Sequence, residues 1–393
     1  MAFRPDKSLL RAELDNTVRG RVTGTLWFAG RADPVTLDLS GDAWADVAGA
    51  RITLSNPHPQ PDNSGPVLSA EQRGRVGDIT VSNRRKHFTV PEEEVNRAIR
   101  EGRLLDLPWV WKNAVYIEWY SERNGRVVIE STEYEVTVSE HLWTTDADDE
   151  AAQQVLNMEA MREFLDLIIA RPEPDPDPDD GRSADDFTED EWEESLKYSD
   201  RLTDANLEAL DKFKDDPDFH QKEAFVMGWD HLHEARAAAS EHQPDDGADD
   251  DDEEDFHAWM EAREEAPKHP LLSLATAYVH TVMDAYKDLG IEETEPQPVG
   301  TPADTFIRSV MQISGKLAGV LSSWHTDRMP RGMILATTRR CLTWANDALT
   351  ALAQLETTPP GRATPSALAA LRPGLFQIRA AITEVRRELQ GET

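Results

Sequence analysis

Charge in this chain is segregated, and the segregation limits how the chain can fold. Residues 146–266 hold 42 Asp and Glu against 10 Lys and Arg, a net of −32 out of a total of −34. Residues 1–145 carry 21 acids against 18 bases, and residues 268–393 carry 12 against 13. A segment so rich in like charge cannot supply a large apolar core of its own. The expected plan is therefore a multidomain α+β chain: an N-terminal all-β sandwich-like module (1–145), an acidic helical middle, and a C-terminal four-helix bundle (268–393). Within the middle we expect a connecting helix (146–170), an acidic Pro/Asp linker (171–187), a short-helix region (188–242) and an acidic linker with a short helix (243–267).

The N-terminal third alternates short β-branched and aromatic runs with Gly, Pro, Asn and Asp, the pattern of a sandwich or barrel. Asn124-Gly125 between two such runs predicts a hairpin closed by a type I′ turn, with positive φ at both residues. In the strand before it, Val115, Ile117 and Trp119 are expected to face a dry side and Tyr116, Glu118 and Tyr120 the other. Residues 91–101 read as a short crossing helix. Six of the eleven tryptophans (Trp27, Trp44, Trp109, Trp111, Trp119, Trp143) fall in this module and read as core. Trp109 and Trp111 are the exception, because an extended segment sets both rings on one side; exposed, they would mark a binding surface.

Residues 151–170 repeat Val155, Met158, Met161, Phe164, Leu165 and Ile168 at helical spacing. Alternating prolines and aspartates then favour an extended linker. Helix resumes at Thr188, a cap with Glu191 three residues on and Phe187 and Trp192 placed as a hydrophobic staple. Three short helices are expected, near 189–199, 204–214 and 217–240, with a thin stripe that includes Leu202, Leu207, Leu210 and Phe213. From residue 269 four amphipathic repeats follow, through Leu272–Leu289, Phe306–Trp324, Ile334–Leu352 and Leu368–Leu389. Thr301 and Pro302 open the second, and Pro373-Gly374 is expected to kink the fourth. Gly315 and Gly319 suggest a small-residue stripe for close helix approach.

Chemistry is sparse. Asp175, Asp177 and Asp179 occupy positions 1, 3 and 5 of a calcium-loop pattern, but the sixth residue is Asp180 rather than Gly and the twelfth is Asp186 rather than Glu. They are weak metal candidates. His231 and His233, two apart on a helix, cannot share an ion; His280 with Asp284 and His257 with Glu261 lack a third ligand. Gly315-Lys316 misses the phosphate-loop pattern on both sides. Cys341, the sole cysteine, lies on an apolar face and reads as a buried hydrophobe. No catalytic residue and no cofactor is expected.

The reading is a non-enzymatic interaction or regulatory protein that binds a protein partner through the acidic middle or the helical bundle. Partner-binding candidates are Trp109 and Trp111 and the acidic run Asp249, Asp250, Asp251 and Asp252. The partner is expected to carry a basic surface. Such an acidic balance disfavours direct binding of nucleic acid or of an anionic membrane. With no apolar run of signal or membrane-spanning length, a cytoplasmic location is expected. Two alternatives stand beside this: a two-part regulator cleaved by a protease in the acidic linkers, and a hydrolase or metal-dependent enzyme whose site is dispersed in the sequence. Limited proteolysis read by mass spectrometry is expected to cut first within 171–186 and 243–254. First cuts within 115–138 or 368–389 would overturn the plan.

Overall fold

The protein is mixed α and β. The computed structural model describes residues 2–61, 67–91, 94–95, 97–98, 102–171, 182–230, 269–288, 300–322, 329–360 and 363–391. Contacts divide the chain into two compact units, Met1–Arg171 with Asp200–Gln243, and Pro172–Ser199 with Pro244–Thr393.

The first unit is built on eight strands: β1 (Leu9–Asp15), β2 (Arg21–Phe28), β3 (Val35–Ser40), β4 (Arg51–Ser55), β5 (Glu71–Phe88), β6 (Trp109–Ser121), β7 (Gly125–Ser131) and β8 (Glu135–Val138). All eight join one hydrogen-bonded sheet in the order β7-β6-β5-β3-β2-β1-β4-β8, where β3 and β5 are the parallel neighbours. β7 and β8 lie at opposite ends of that order, yet only residues 132–134 connect them. Such a link reaches on the order of 15 Å. The sheet must therefore curl until its ends approach, and the N-terminal segment adds to the closure where Phe3 bridges Val127. Leu14, Leu26, Leu54, Ile79, Ile117, Trp119 and Ile129 belong to the one cluster inside the curl.

The hairpin forms with a different turn. Ser121 pairs with Gly125 across a three-residue loop, and Gly125 alone takes positive φ, at 67°. Asn124 is spared the left-handed region, and its Oδ1 instead accepts hydrogen bonds from the Ser69 N–H and from Gln72 Nε2, tying the hairpin to the start of β5. The face expectation for β6 also changes: Tyr116, Glu118 and Tyr120 are as buried as Val115, Ile117 and Trp119.

Helices cover that second face. α1 (Ala147–Ile169) starts at Asp146, whose side chain accepts from the Asp148 and Asp149 N–H groups. Its buried stripe is Gln153, Asn157, Ala160, Met161, Leu165 and Ile169, turned from the apolar stripe expected; Val155 is half exposed. α2 (Glu189–Phe213) is a single helix in place of two short ones, and α3 (Phe219–Val226) follows it. On the second half of α2 the buried residues are Ala205, Glu208, Ala209 and Phe213, while Leu207 and Leu210 are exposed. Within 91–101, residues 94–95 and 97–98 are helical.

In the second unit, α4 (Pro270–Asp288), α5 (Pro302–Leu321), α6 (Arg331–Thr357), α7 (Pro365–Ala369) and α8 (Arg372–Gln390) share one apolar cluster. The expected repeats fill it: Phe306, Ile313, Leu317, Cys341, Ala345, Leu352, Ile378 and Ile382 are all buried. The Thr301 side chain caps α5 through the Asp304 N–H, and Thr188 and Glu191 cap the start of α2 reciprocally. Two expectations fail. Pro373 sits in the first turn of a new helix rather than at a kink, because the chain has already broken between α7 and α8. Gly315 and Gly319 face open space; close approach occurs instead at Gly332, against Phe187 and Trp192, and at Gly374, against the Tyr278 ring. Among the described residues no helix is long and apolar enough to cross a membrane.

Ile378, 1% exposed, sits in the middle of the α8 stripe. Ile378→Asp should destabilise the helical unit by more than about 3 kcal/mol through a buried unpaired charge. Loss of helical circular dichroism while the amides of β1–β7 keep their hydrogen-exchange protection is the expected result.

Candidate functional site

The second face of β6 carries a buried ion network. Glu118 stands mid-strand between Tyr116 and Tyr120, and room for its carboxylate comes from Gly77 at an irregularity in the β5–β6 register: a Cβ there would meet Glu118 Oε2 at 2.5 Å. Arg126, on β7, donates from Nε to Glu118 Oε1 at 2.7 Å. Its Nη1 donates to Glu208 Oε2 at 2.8 Å and to Asp211 Oδ2 at 2.9 Å. Lys212 Nζ pairs with Glu118 Oε2 and, at 2.7 Å, with Asp78 Oδ2. Asp78 Oδ1 accepts from Trp44 Nε1 at 2.8 Å and from Asn157 Nδ2 at 2.9 Å. α2 delivers Glu208, Asp211 and Lys212 together because residues three and four apart share a helix face.

Burial raises the proton affinity of the Glu118 carboxylate, but Lys212 and Arg126 overcompensate and bring its pKa to about 2. Asp78 goes the other way: burial outweighs the Lys212 ammonium, and its pKa rises. For Lys212, burial opposes the charge, but Asp78 and Glu118 hold the ammonium well above its ordinary range. Tyr116 and Tyr120 are raised by burial and by Glu118.

A cleft of 370 Å³ opens beside this network, with Trp44, Tyr116, Asp78, Lys212, Arg84 and Asn157 among its walls. Asp78, Tyr116 and Lys212 are all engaged with the network, and Lys222 is engaged with Asp216. The arrangement pins α1 and α2 to the sheet and holds its charges in fixed pairs.

A second feature lies where β5 and β6 run on as a ribbon. Trp109, Val110 and Trp111 are 40%, 45% and 53% exposed. The two indoles meet edge to face, with centroids 5.4 Å apart, and Lys86 Nζ lies 4.9 and 6.0 Å from the ring centres. Opposite pairs Arg84–Asn113, Lys86–Trp111 and Phe88–Trp109 share one face of the ribbon, and Arg85–Lys112 and His87–Val110 the other.

Of the other four tryptophans in residues 1–145, Trp119 is fully buried and Trp27, Trp44 and Trp143 are part-buried. Trp27 lies under the Arg11 guanidinium, and Trp143 donates to backbone carbonyls. Cys341 is buried, which pushes its thiol up to about 12. His280 is exposed. Asp175, Asp177 and Asp179, together with Asp249, Asp250, Asp251, Asp252, His231, His233 and His257, lie outside the described residues. Among the described residues no group of three or more His, Cys, Asp or Glu could hold a metal ion. The network itself escaped sequence reasoning; its one signal was a glutamate within the otherwise apolar and aromatic run 114–120. No family model, no curated protein and no solved structure matches the chain.

Lys212→Met should destabilise the β-unit by about 3–5 kcal/mol, because buried Glu118 and Asp78 lose their shared ammonium. Glu118 ionises in the folded state well below its ordinary 4.5, so its stabilisation is present above that value and is lost as pH falls toward about 2. Asp78, shifted upward, offsets part of this. Urea unfolding from neutral pH down through that range should show the Lys212→Met deficit largest near neutral pH and shrinking on acidification.

Proposed function

We propose that the protein is a non-enzymatic interaction protein that binds a protein partner. The observation that carries this is the exposed Trp109-Val110-Trp111 segment. Large apolar side chains scattered singly over a surface need no explanation, but two tryptophans side by side on a projecting ribbon mark a contact surface. The buried charges support the same reading, since their pairing leaves them to hold structure.

The acidic middle offers less free charge for recognition than its composition suggests. In its described part Glu208 and Asp211 are engaged with Arg126, and Glu189, Asp190 and Glu193 with Arg339, Arg340 and Arg386. In this reading the curled sheet is a sandwich-like scaffold whose halves face each other across one core. The helical unit is a four-helix bundle in which α7 and α8 together make the fourth member.

A photo-crosslinking residue at Asn113, exposed beside Trp111, should capture a partner from extracts of the source cells. The same residue at Val18, 64% exposed on another part of the β-unit, should not. Trp109→Ala with Trp111→Ala should reduce capture at least about tenfold and leave melting within about 0.5 kcal/mol of the parent. Capture unaffected by the double substitution would overturn the reading.

A further inference from the structure

We propose that the open edge of this ribbon takes up an extended peptide in which acidic and apolar residues alternate, added as a new strand beside β6. The inference rests on the interaction reading above and names the chemistry of the partner.

The edge is the first argument. β7 pairs with β6 from Ser131 opposite Val115 onward, so residues 109–114 of β6 have β5 on one side and, among the described residues, no strand on the other. Among the described residues, no backbone hydrogen bond from this segment goes anywhere but to β5. Alternate residues therefore turn N–H and C=O outward, a ready template for strand addition. Six residues offer about 20 Å of edge, enough for a short strand.

Side chains set what such a strand must carry. Trp109 and Trp111 flank the edge on one face, and Val110 and Lys112 on the other, with His87 and Arg85 behind them on β5. A strand of period two would lay apolar residues against the indoles and carboxylates against Lys112. The chain already shows that complement: Glu133, just past the end of β7, reaches Lys112 at 3.5 Å, with the Lys112 side chain 38% and the Glu133 side chain 56% exposed.

Nucleic acid fits less well. The indoles are at 81° to one another with Lys86 over both, so they do not offer parallel open faces to successive bases. A chain of net charge −34 repels a long polyanion, whereas a short peptide feels the ribbon's cations within the Debye length of about 8 Å.

The test uses the full-length protein and fluorescence polarisation with a labelled peptide of alternating Glu and Val. Saturable binding is expected. It should weaken at least about tenfold when alternate peptide amides are N-methylated, which removes the strand's hydrogen bonds. Lys112→Glu should weaken it by about tenfold and admit a peptide of alternating Lys and Val; Trp111→Ala should weaken it comparably. Unchanged melting of both variants shows that folding is intact. Equal binding of the N-methylated peptide, binding of oligothymidylate in the peptide's place, or no binding by the folded protein would each overturn strand addition. If the peptide fails while tryptophan-dependent crosslinking at Asn113 persists, strand addition falls and the interaction reading stands; if both fail, both fall.

Discussion

The β-unit depends on one buried interaction: the carboxylate of Glu118 held between the Arg126 guanidinium and the Lys212 ammonium. A carboxylate in the middle of a covered strand costs several kcal/mol in desolvation unless it is paired and hydrogen-bonded. Its neighbours are arranged around that cost. Gly77 gives up a side chain to admit it, Tyr116 donates its hydroxyl to it, and the second half of α2 brings the ammonium. Buried pairs of this kind add little net stability over an apolar core, but they allow few alternatives. A helix packed through Ala205 and Ala209 could slide along the sheet; one that must place Glu208, Asp211 and Lys212 on Arg126, Glu118 and Asp78 fits in a single register.

That dependence explains what could be read from the sequence. The helical unit was legible because its helices bury apolar residues at the spacing the backbone dictates, so that the repeats through Phe306, Cys341 and Ile378 are the core. The strands were legible for the same reason on their inner face. α1 and α2 were harder, because the faces they bury contain Gln153, Asn157, Glu208 and Lys212. Hydrophobic periodicity is blind to a buried polar face, and it assigned Leu207, Leu210 and Val155 to positions that turn out exposed. The same blindness gave Tyr116, Glu118 and Tyr120 a solvent face when helices cover them.

Two local expectations failed through competition for a residue. Asn124 suits a left-handed turn position, yet its side chain is worth more as an acceptor for Ser69 and Gln72, and the loop lengthens by one so that Gly125 alone takes positive φ. Pro373 is unable to continue a helix but well suited to begin one. Once the chain breaks after α7, it starts α8 without strain. In both places the residue type was read correctly, and the alternative role it could fill was decided by contacts distant in sequence.

A net charge of −34 describes the chain and not the field at any one point on it. Charge acts over about a Debye length, so the ribbon's neighbourhood is set by the groups that stand on it. On its Trp109–Trp111 face, Arg84 and Lys86 have no carboxylate partner among the described residues; on the other, Arg85 and Lys112 are shared with Glu130, Asp215 and Glu133. Those ion pairs are exposed or half-exposed and worth little each, so an incoming carboxylate displaces them at small cost. A locally basic, aromatic edge can therefore persist in a strongly acidic chain, and the long-range repulsion from the rest of the molecule then works as discrimination, slowing long polyanions more than a short acidic strand.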